Sequence, residues 1–371
     1  MIVGFEAKRI FQNYSGLGNY SRNTINLLVK FFPDNRYKLF APKLTALYQL
    51  PESVEAITPT NFPYKYLRAY WRLNHVDKLL SKNHVDIFHG LSHVLPYGIE
   101  KTGIPSIVTI HDLIFLRYPE FYRKIDRKLY QSVYYSACKS ATKIIAISNQ
   151  TKEDLIHYLK IDPGKIEVIY QSCNPCFYER VSEAQKSAIR LKFNLPEKFI
   201  LNVGTIEARK NQLSILRGLV QEKLEIPVVL LGKITDYKKG LDEFIVESGI
   251  RKQLIFLPNT DTSELQAIYQ MAEIMVYPSL FEGFGLPVLE AQASGCPVIT
   301  SSTSSLPEAG GDGAIYIDPG NSLEIGQAIQ NVLSNNDLKN ELIRKGTAHA
   351  RLFDGRIVSE KLMKLYQSLV K

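Results

Sequence analysis

Short β-branched runs alternate with stretches of helical period along the whole chain. In the first half the runs are IVGFEA (2–7), YKLFAP (37–42), DIFHG (86–90), SIVTIHD (106–112), KIIAIS (143–148) and KIEVIY (165–170). In the second half they are FILNVG (199–204), PVVLLG (227–232), LIFLP (254–258), IMVYP (274–278), PVIT (297–300) and AIYID (314–318). Helical patterns such as SELQAIYQMA separate them, and helices fill the tail from about Ser322. Asn149, with Glu153 and Asp154 close behind, suits a helix start with acids in its first turn. Buried strands alternating with helices predict an α/β protein with parallel sheets covered on both faces. The pattern breaks near SCNPCFY. Two Rossmann-like domains are therefore expected, at residues 1–175 and 176–354, with a C-terminal helix at about 355–371 packing back on the first. Ligands of such sheets bind beyond the carboxyl ends of the strands, and two of them would face each other across a deep cleft.

The chain has 371 residues, too many for one ordinary core, which supports two domains. It is 45% hydrophobic and 22% charged, as soluble globular proteins are. No run of about 18 apolar residues predicts a spanning helix. The N-terminus, MIVGFEAKRI, lacks a basic segment followed by an apolar one, so a cytoplasmic protein is expected. Four cysteines do not make a disulfide framework. Cys173 and Cys176 form one C-x-x-C with no second pair, which argues against zinc and leaves two ordinary cysteines near a hinge. The net charge of +8 is uneven. Residues 1–175 hold 23 basic and 14 acidic residues, a surplus of 9; the remainder holds 22 and 23, a deficit of 1. A basic half calls for an anionic partner: phosphate, a membrane surface or nucleic acid.

The stretch LFEGFGLPVLEAQASGCPVIT (280–300) carries the most chemistry. IMVYP ends a strand, SLFEGFG is the loop at its carboxyl end, and LPVLEAQASG reads as the next helix. Pro287 fits the first helical turn and Gly295 the stop. The backbone N–H groups of Gly283, Phe284, Gly285 and Leu286, backed by the helix dipole, suit a phosphate. Glu282 sits in the loop and Glu290 about one turn into the helix. A carboxylate accepts two hydrogen bonds from vicinal hydroxyls. Two of them flanking an anion site point to a ligand with hydroxyls on both sides of its phosphates, as a nucleotide sugar has.

In Glu282-Gly-Phe-Gly-Leu-Pro-Val-Leu-Glu290 the spacing resembles the E-x-seven-E motif of retaining glycosyltransferases of the GT-B fold, in glycosyltransferase family four. The resemblance covers essentially the whole chain. It implies that Glu282 holds hydroxyls of the donor sugar, that Glu290 holds the ribose, and that the amides from Gly283 to Leu286 serve the sugar and distal phosphate.

GTIEARKNQ (204–212) follows the first strand of the second half. Adjacent Arg209 and Lys210 are disfavoured at a helix start unless an anion sits between them. Relatives often have an Arg directly after the glycine; here Gly204 is followed by Thr205, and Arg209 is supplied instead. The segment is similar to the TIEPRKN of a mannosyltransferase-like branch, with Ala208 in place of the Pro. In SGLGNYSRN (15–23), Gly16, Leu17 and Gly18 precede a helix without completing a dinucleotide fingerprint. They form either a tight turn or, as the family implies, a glycine loop near the donor diphosphate. His111 ends the strand SIVTIHD, where the family commonly has a His that contacts the donor sugar. His89 and His93 do not share one helix face, so acceptor contacts or packing are expected rather than a metal site. Arg209, Lys210 and the helix N-terminus can balance a leaving diphosphate, so neither metal nor cofactor is called for.

Two basic, aromatic segments remain: FPYKYLRAYWR (62–72) and FLRYPEFYRKIDRKLYQSVYY (115–135). Their rings either pack inward or meet anionic lipid and a lipid-diphosphate acceptor. No RNA-binding signature accompanies them, so no nucleic acid is expected. The resulting expectation is a retaining, metal-independent hexosyltransferase. It moves mannose from GDP-mannose to a growing, lipid-linked polysaccharide such as lipopolysaccharide, at the inner face of the cell membrane. A UDP-sugar donor, or a nucleotide-sugar epimerase of the same architecture, is the alternative.

Overall fold

The computed structural model describes residues 1–14, 16–250, 254–258 and 260–370. The chain divides into two compact units, Met1–Gln171 with Gly355–Lys371, and Ser172–Asp354. In unit 1 the elements run β1 (Ile2–Glu6), α1 (Lys8–Gln12), α2 (Gly16–Phe31), β2 (Arg36–Phe40), β3 (Val54–Ile57), α3 (Arg68–Asn74), α4 (Val76–Leu80), β4 (Ile87–Gly90), β5 (Ser106–Ile110), α5 (Ile114–Arg117), α6 (Lys124–Ser140), β6 (Lys143–Ala146), α7 (Asn149–Leu159) and β7 (Ile166–Val168). Unit 2 continues with α8 (Glu183–Phe193), β8 (Ile200–Val203), α9 (Gln212–Gln221), β9 (Val228–Leu231), α10 (Lys238–Ser248), β10 (Leu254–Leu257), α11 (Thr262–Met271), β11 (Ile274–Tyr277), α12 (Leu286–Ala293), β12 (Val298–Ser301), α13 (Leu306–Gly310), β13 (Ala314–Ile317), α14 (Ser322–Ser334) and α15 (Asn336–Ala350). The last helix, α16 (Gly355–Leu369), belongs to unit 1.

Both sheets are parallel, in the orders β3-β2-β1-β4-β5-β6-β7 and β10-β9-β8-β11-β12-β13. The order reverses between β1 and β4 in one sheet and between β8 and β11 in the other. Those are the topological switch points where such sheets bind ligands. Each sheet is buried on both faces. In unit 1, Val3, Phe5 and Ile87 pack with Ile25 and Leu28 of α2 and with Leu362, Met363 and Tyr366 of α16. Phe88, Val108 and Ile144 pack on the other face with Trp71, Ala137 and Leu155. In unit 2, Val228, Ile274 and Ile299 meet Leu216, Leu219, Ile325 and Ile329. Among the described residues no helix is long and apolar enough to cross a membrane.

The twelve apolar runs all became strands, but four local details differ from the sequence reading. Strand β3, VEAI, goes unread because only Val54 of its four residues is buried, at the sheet edge. The α1 turn intervenes after β1, and Gly16 and Gly18 lie in the first turn of α2 rather than before it. The cap of α7 is Ser148, whose side chain accepts the Thr151 amide, so Glu153 and Asp154 fall beyond its first turn. Asp154 instead pairs with Arg117 at 2.7 Å in the interior.

His89 belongs to the core. Its Nδ1 meets the Tyr366 hydroxyl at 2.6 Å and its Nε2 the Thr109 hydroxyl at 2.8 Å. Burial, aided by His111, holds its pKa down to about 3, so the ring is neutral. Tyr366→Phe should leave Nδ1 unpaired and cost about 1–3 kcal/mol. Trp71, the single tryptophan, is buried in unit 1 and reports its urea unfolding selectively. An unchanged midpoint would contradict the role of this bond.

Candidate active site

The loop after β8 begins at Gly204, whose φ of +138° turns the chain out of the sheet. Ala208–Lys210 then form one 3-10 turn. Asn211 ends it and donates through Nδ2 to Pro278 O at 3.1 Å and Pro319 O at 2.8 Å. The loop after β11, the neighbouring strand, is fastened to this one. Leu280 N donates to Arg209 O at 2.8 Å, and Arg209 Nη1 donates to Phe281 O at 2.7 Å.

Glu282, 9% exposed, lies where the loops meet. Lys210 Nζ reaches its Oε1 at 2.6 Å and Arg209 Nη1 at 2.9 Å. Tyr277 donates to the same oxygen at 3.1 Å, and Ser279 does so too. The second oxygen, Oε2, is thereby the one able to face a ligand. Burial alone would raise the carboxyl pKa, but Lys210 and Arg209 outweigh it and hold it at about 2. Burial lowers the Lys210 pKa, and Arg209 adds to this against the pull of Glu282. Burial also opposes the Arg209 charge, but Glu282 and Glu207 overcome it and raise its pKa. Glu207 Oε1 accepts from Arg209 Nη2 at 2.7 Å. The anion called for between the two cations is thus supplied by the chain itself. Thr205 takes part through its carbonyl, which accepts from Gln212 Nε2 at 3.1 Å.

Gly285 precedes α12 at a φ of +117°, and a Cβ there would lie 2.9 Å from Leu306. Ser305 Oγ donates to Glu282 O and Phe284 O, both at 2.9 Å, and Ser304 Oγ accepts the Glu282 amide at 3.2 Å. The Phe284 ring is a packing element against Phe353, 5.5 Å between centroids, so only its backbone can serve a ligand. Gly283 and Leu286 flank it, both partly exposed. Glu290, half-buried on α12, stands apart from the Glu282 network and accepts from Tyr269 OH at 3.2 Å. Burial pushes its pKa up to about 7, with the Tyr269 bond opposing. Nearby Cys173 and Cys176 are free, and burial raises both thiols, Cys176 to about 11, the reverse of a reactive cysteine.

His111 is in unit 1. Gln171 Nε2 donates to its Nδ1 at 3.0 Å, so Nε2 carries the proton and donates to Leu91 O at 2.9 Å. Burial lowers its pKa to about 4, with the Leu91 bond opposing. Tyr20 of α2 sets its ring edge against His111, centroids 4.6 Å apart. Gly16 is exposed and Leu17 half-buried at the start of the same helix; Ser15 lies outside the described residues. Gly18 is required by contact: a Cβ there would sit 2.0 Å from Asn13 O. His93 stacks on Tyr134 at 4.3 Å. Among the described residues no three His, Cys, Asp or Glu side chains gather as metal ligands would.

Sequence reasoning missed Glu207, Tyr269, Tyr277, Ser279 and Ser304. Two had a local signal. Glu207 stands two residues before Arg209, and Ser279 directly follows the IMVYP strand. The tyrosines had none, because strand and helix tyrosines usually serve the core.

The two glutamates should shift stability in opposite directions with pH. The folded pKa of Glu282, about 2, lies below the roughly 4.3 of an unfolded glutamate. Its stabilisation is present above that value and is lost as pH falls toward the folded pKa. The folded pKa of Glu290, about 7, lies above it, so ionisation of Glu290 weakens the fold progressively up to that pH and fully beyond it. Glu290→Gln should therefore raise the Tm at pH 8 and change it little below pH 4. Glu282→Gln leaves buried Lys210 without its counter-charge, while Arg209 keeps Glu207, and should cost about 3–5 kcal/mol at pH 8, with a smaller loss below pH 4. Calorimetry across pH checks both; parallel profiles for the two variants would refute the assignment.

Comparison with known proteins agrees with this architecture. Residues 15–175 match the family model described as Glycosyltransferase Family 4, and residues 184–349 match Glycosyl transferases group 1. O-antigen chain mannosyltransferase B of Escherichia coli is 28% identical over 296 residues, 76% of this chain and 74% of that one. O-antigen chain mannosyltransferase RfbU of Salmonella typhimurium is 27% identical over 268 residues, 72% of this chain and 70% of that one. The crystal structure of Anabaena HepE with UDP and glucose superposes with a TM-score of 0.77 at 19% identity, covering 100% of both chains. The chain belongs to glycosyltransferase family four and has the GT-B fold of two parallel-sheet domains.

Proposed function

We propose that this glycosyltransferase moves mannose from GDP-mannose to a growing, lipid-linked cell-surface polysaccharide. Transfer retains the anomeric configuration, needs no metal, and takes place at the cytoplasmic membrane face. The observation that carries the reading is the convergence of Arg209 and Lys210 on one oxygen of Glu282 at the switch point of unit 2. Oε2 of Glu282 then takes hydroxyls of the donor sugar. Arg209, Lys210 and the N-terminus of α12, with the amides of Gly283, Phe284, Gly285 and Leu286, stabilise the leaving diphosphate. Gly204 and Thr205 let the phosphates approach the backbone. Glu290 takes the ribose hydroxyls. Unit 1 holds the acceptor and contributes Gly16, Leu17 and His111, whose ring meets the sugar by exchanging one of its internal hydrogen bonds.

Retention is carried over from the family's E-x-seven-E motif, and the character of Glu282 is compatible with a front-face route. A carboxylate held at about 2 is a weak base and is tied to two cations. It positions the sugar and does not attack it. The leaving diphosphate oxygen then serves as base on the same face. Mannose is favoured by the two O-antigen mannosyltransferases similar along most of this chain.

The membrane reading rests on exposed apolar side chains set among bases. On α6, Ile125 and Leu129 are 76% and 59% exposed beside exposed Lys124 and Lys128. Phe62, Tyr66, Leu67 and Tyr70 are exposed around Lys65 and Arg68. Such faces suit an anionic lipid surface.

Three measurements test these claims. Turnover of a panel of nucleotide sugars should single out GDP-mannose and survive EDTA, and the anomeric configuration of the product should match that of the donor. Preference for a UDP-sugar, loss with EDTA, or inversion each refutes its part of the reading. GDP affinity should rise as pH passes through about 7, where Glu290 ionises. Glu290→Ala should lower that affinity by about 1.5–3 kcal/mol, and Glu290→Gln should flatten the pH profile. Sedimentation with anionic vesicles should be strong at low salt and weakened by neutralising Lys65, Arg68, Arg123, Lys124, Arg127 and Lys128; Arg72, which the sequence groups with them, is turned inward onto Glu6 and is left intact. Indifference to lipid charge would end the membrane proposal.

A further inference from the structure

The switch point of unit 1, between β1 and β4, gathers charges that the donor chemistry leaves unused. Glu6 ends β1, in register with Phe40 of β2 and Gly90 of β4, and is 3% exposed. Its Oε1 accepts the Lys8 amide at 3.2 Å and lies 3.5 Å from Arg72 Nε of α3. Among the described residues neither Glu6 Oε2 nor Arg72 Nε has a hydrogen-bond partner, although both atoms are buried. Buried carboxylate oxygens normally have donors, and one left without a donor is costly. Lys8 and Arg9 follow on α1, both half-buried. Burial lowers the Lys8 pKa, and the charges of Arg72 and Arg9 lower it further against Glu6. The charge of Arg9 also reaches His93 and His111, so the cluster lies within electrostatic range of both histidines. Among the described residues three cations gather about one carboxylate, a local excess of 3 − 1 = 2 positive charges.

This donor set asks for two things at once. Glu6 Oε2 needs a hydroxyl, and the three cations need an anion. A neutral sugar supplies only the first. Inorganic phosphate supplies the second and offers little as a donor. A sugar bearing a phosphate or a carboxylate supplies both. We propose that the carboxyl end of β1 is an acceptor subsite in which Glu6 takes a sugar hydroxyl and Lys8, Arg9 and Arg72 take an oxyanion carried by the acceptor. The proposal rests on the reading that unit 1 holds the acceptor. Entry of the ligand swings Arg72 off Glu6, while the buried Trp71 beside it keeps α3 anchored.

The test is calorimetric titration of the full-length protein with GDP present at saturation, so that the donor site is filled. The probes are methyl α-mannoside, mannose 6-phosphate and glucuronic acid. At least one charged probe should bind tenfold or more tighter than the neutral one, and the one that does identifies phosphate or carboxylate. Lys8→Gln and Arg72→Gln should each remove most of that advantage. Glu6→Gln should weaken all three probes. GDP affinity and Trp71 fluorescence should be unchanged in every variant, which separates a subsite from a folding defect. Equal binding of charged and neutral probes, binding of none, or an advantage that survives both cation variants overturns the proposal. Failure of GDP to bind, with the charged probe still preferred, would sink the donor assignment and leave this subsite standing.

Discussion

The geometry of unit 2 depends on one buried ion cluster: a single carboxylate oxygen of Glu282 taken by Lys210 and Arg209. A buried carboxylate is expensive without opposite charge, and two adjacent buried cations are worse. Each group is tolerable only because the others are present. The constraint fixes the backbone as well, because Arg209 sits on the loop after β8 and Glu282 on the loop after β11. Those strands neighbour each other although five elements of chain (α9, β9, α10, β10 and α11) separate them. The cluster and its flanking backbone bonds therefore join two loops at the place where the sheet order reverses. The start of α12 is positioned as a consequence, since Ser304 and Ser305 hold the backbone on either side of Gly283.

The second acid of the motif has a different environment and so a different character. Glu282 meets cations and is ionised at any ordinary pH. Glu290, eight residues on, meets a tyrosine hydroxyl and no cation, and burial leaves it near the balance point at neutral pH. The same residue type thus gives a fixed charge at one end of the motif and an adjustable one at the other. A fixed charge suits a group that must orient a sugar beside departing phosphate. An adjustable one suits a hydroxyl ligand, which costs least to release when the carboxylate can be neutralised.

Much of this was legible in the sequence because it is local. Strands buried on both faces appear as apolar runs, and a glycine–proline pair after a strand marks a loop-to-helix turn. What escaped was long-range. The buried ion cluster joins residues 72 apart, and the His89–Tyr366 bond spans 277. No local pattern could say that a histidine in FHG is a neutral core residue, or that Asp154 is a buried partner of Arg117 rather than a first-turn acid. Strand β3 was missed for the opposite reason: at a sheet edge with one buried residue, it lacks the apolar signature of its neighbours. The Gly16–Gly18 loop was misplaced by a turn, because its geometry is set by contact with Asn13 rather than by glycine freedom alone.

The two switch points share a topology and differ in charge. In unit 2, Arg209 and Lys210 face Glu207 and Glu282, so the resident network is balanced. In unit 1, among the described residues, Lys8 and Arg72 lie against Glu6 and Arg9 stands beside Lys8, three cations to one carboxylate. A balanced network keeps its cations in place while empty and can rearrange when a phosphate competes for them. That suits a substrate which arrives charged and departs charged. An unbalanced one holds a lysine against its preference and leaves a carboxylate oxygen without a donor, so it gains most from a ligand that brings both anion and hydroxyl. Two copies of one α/β plan can in this way serve two unlike substrates. The difference lies in whether the loop beyond the first strand of each sheet carries its own counter-charge.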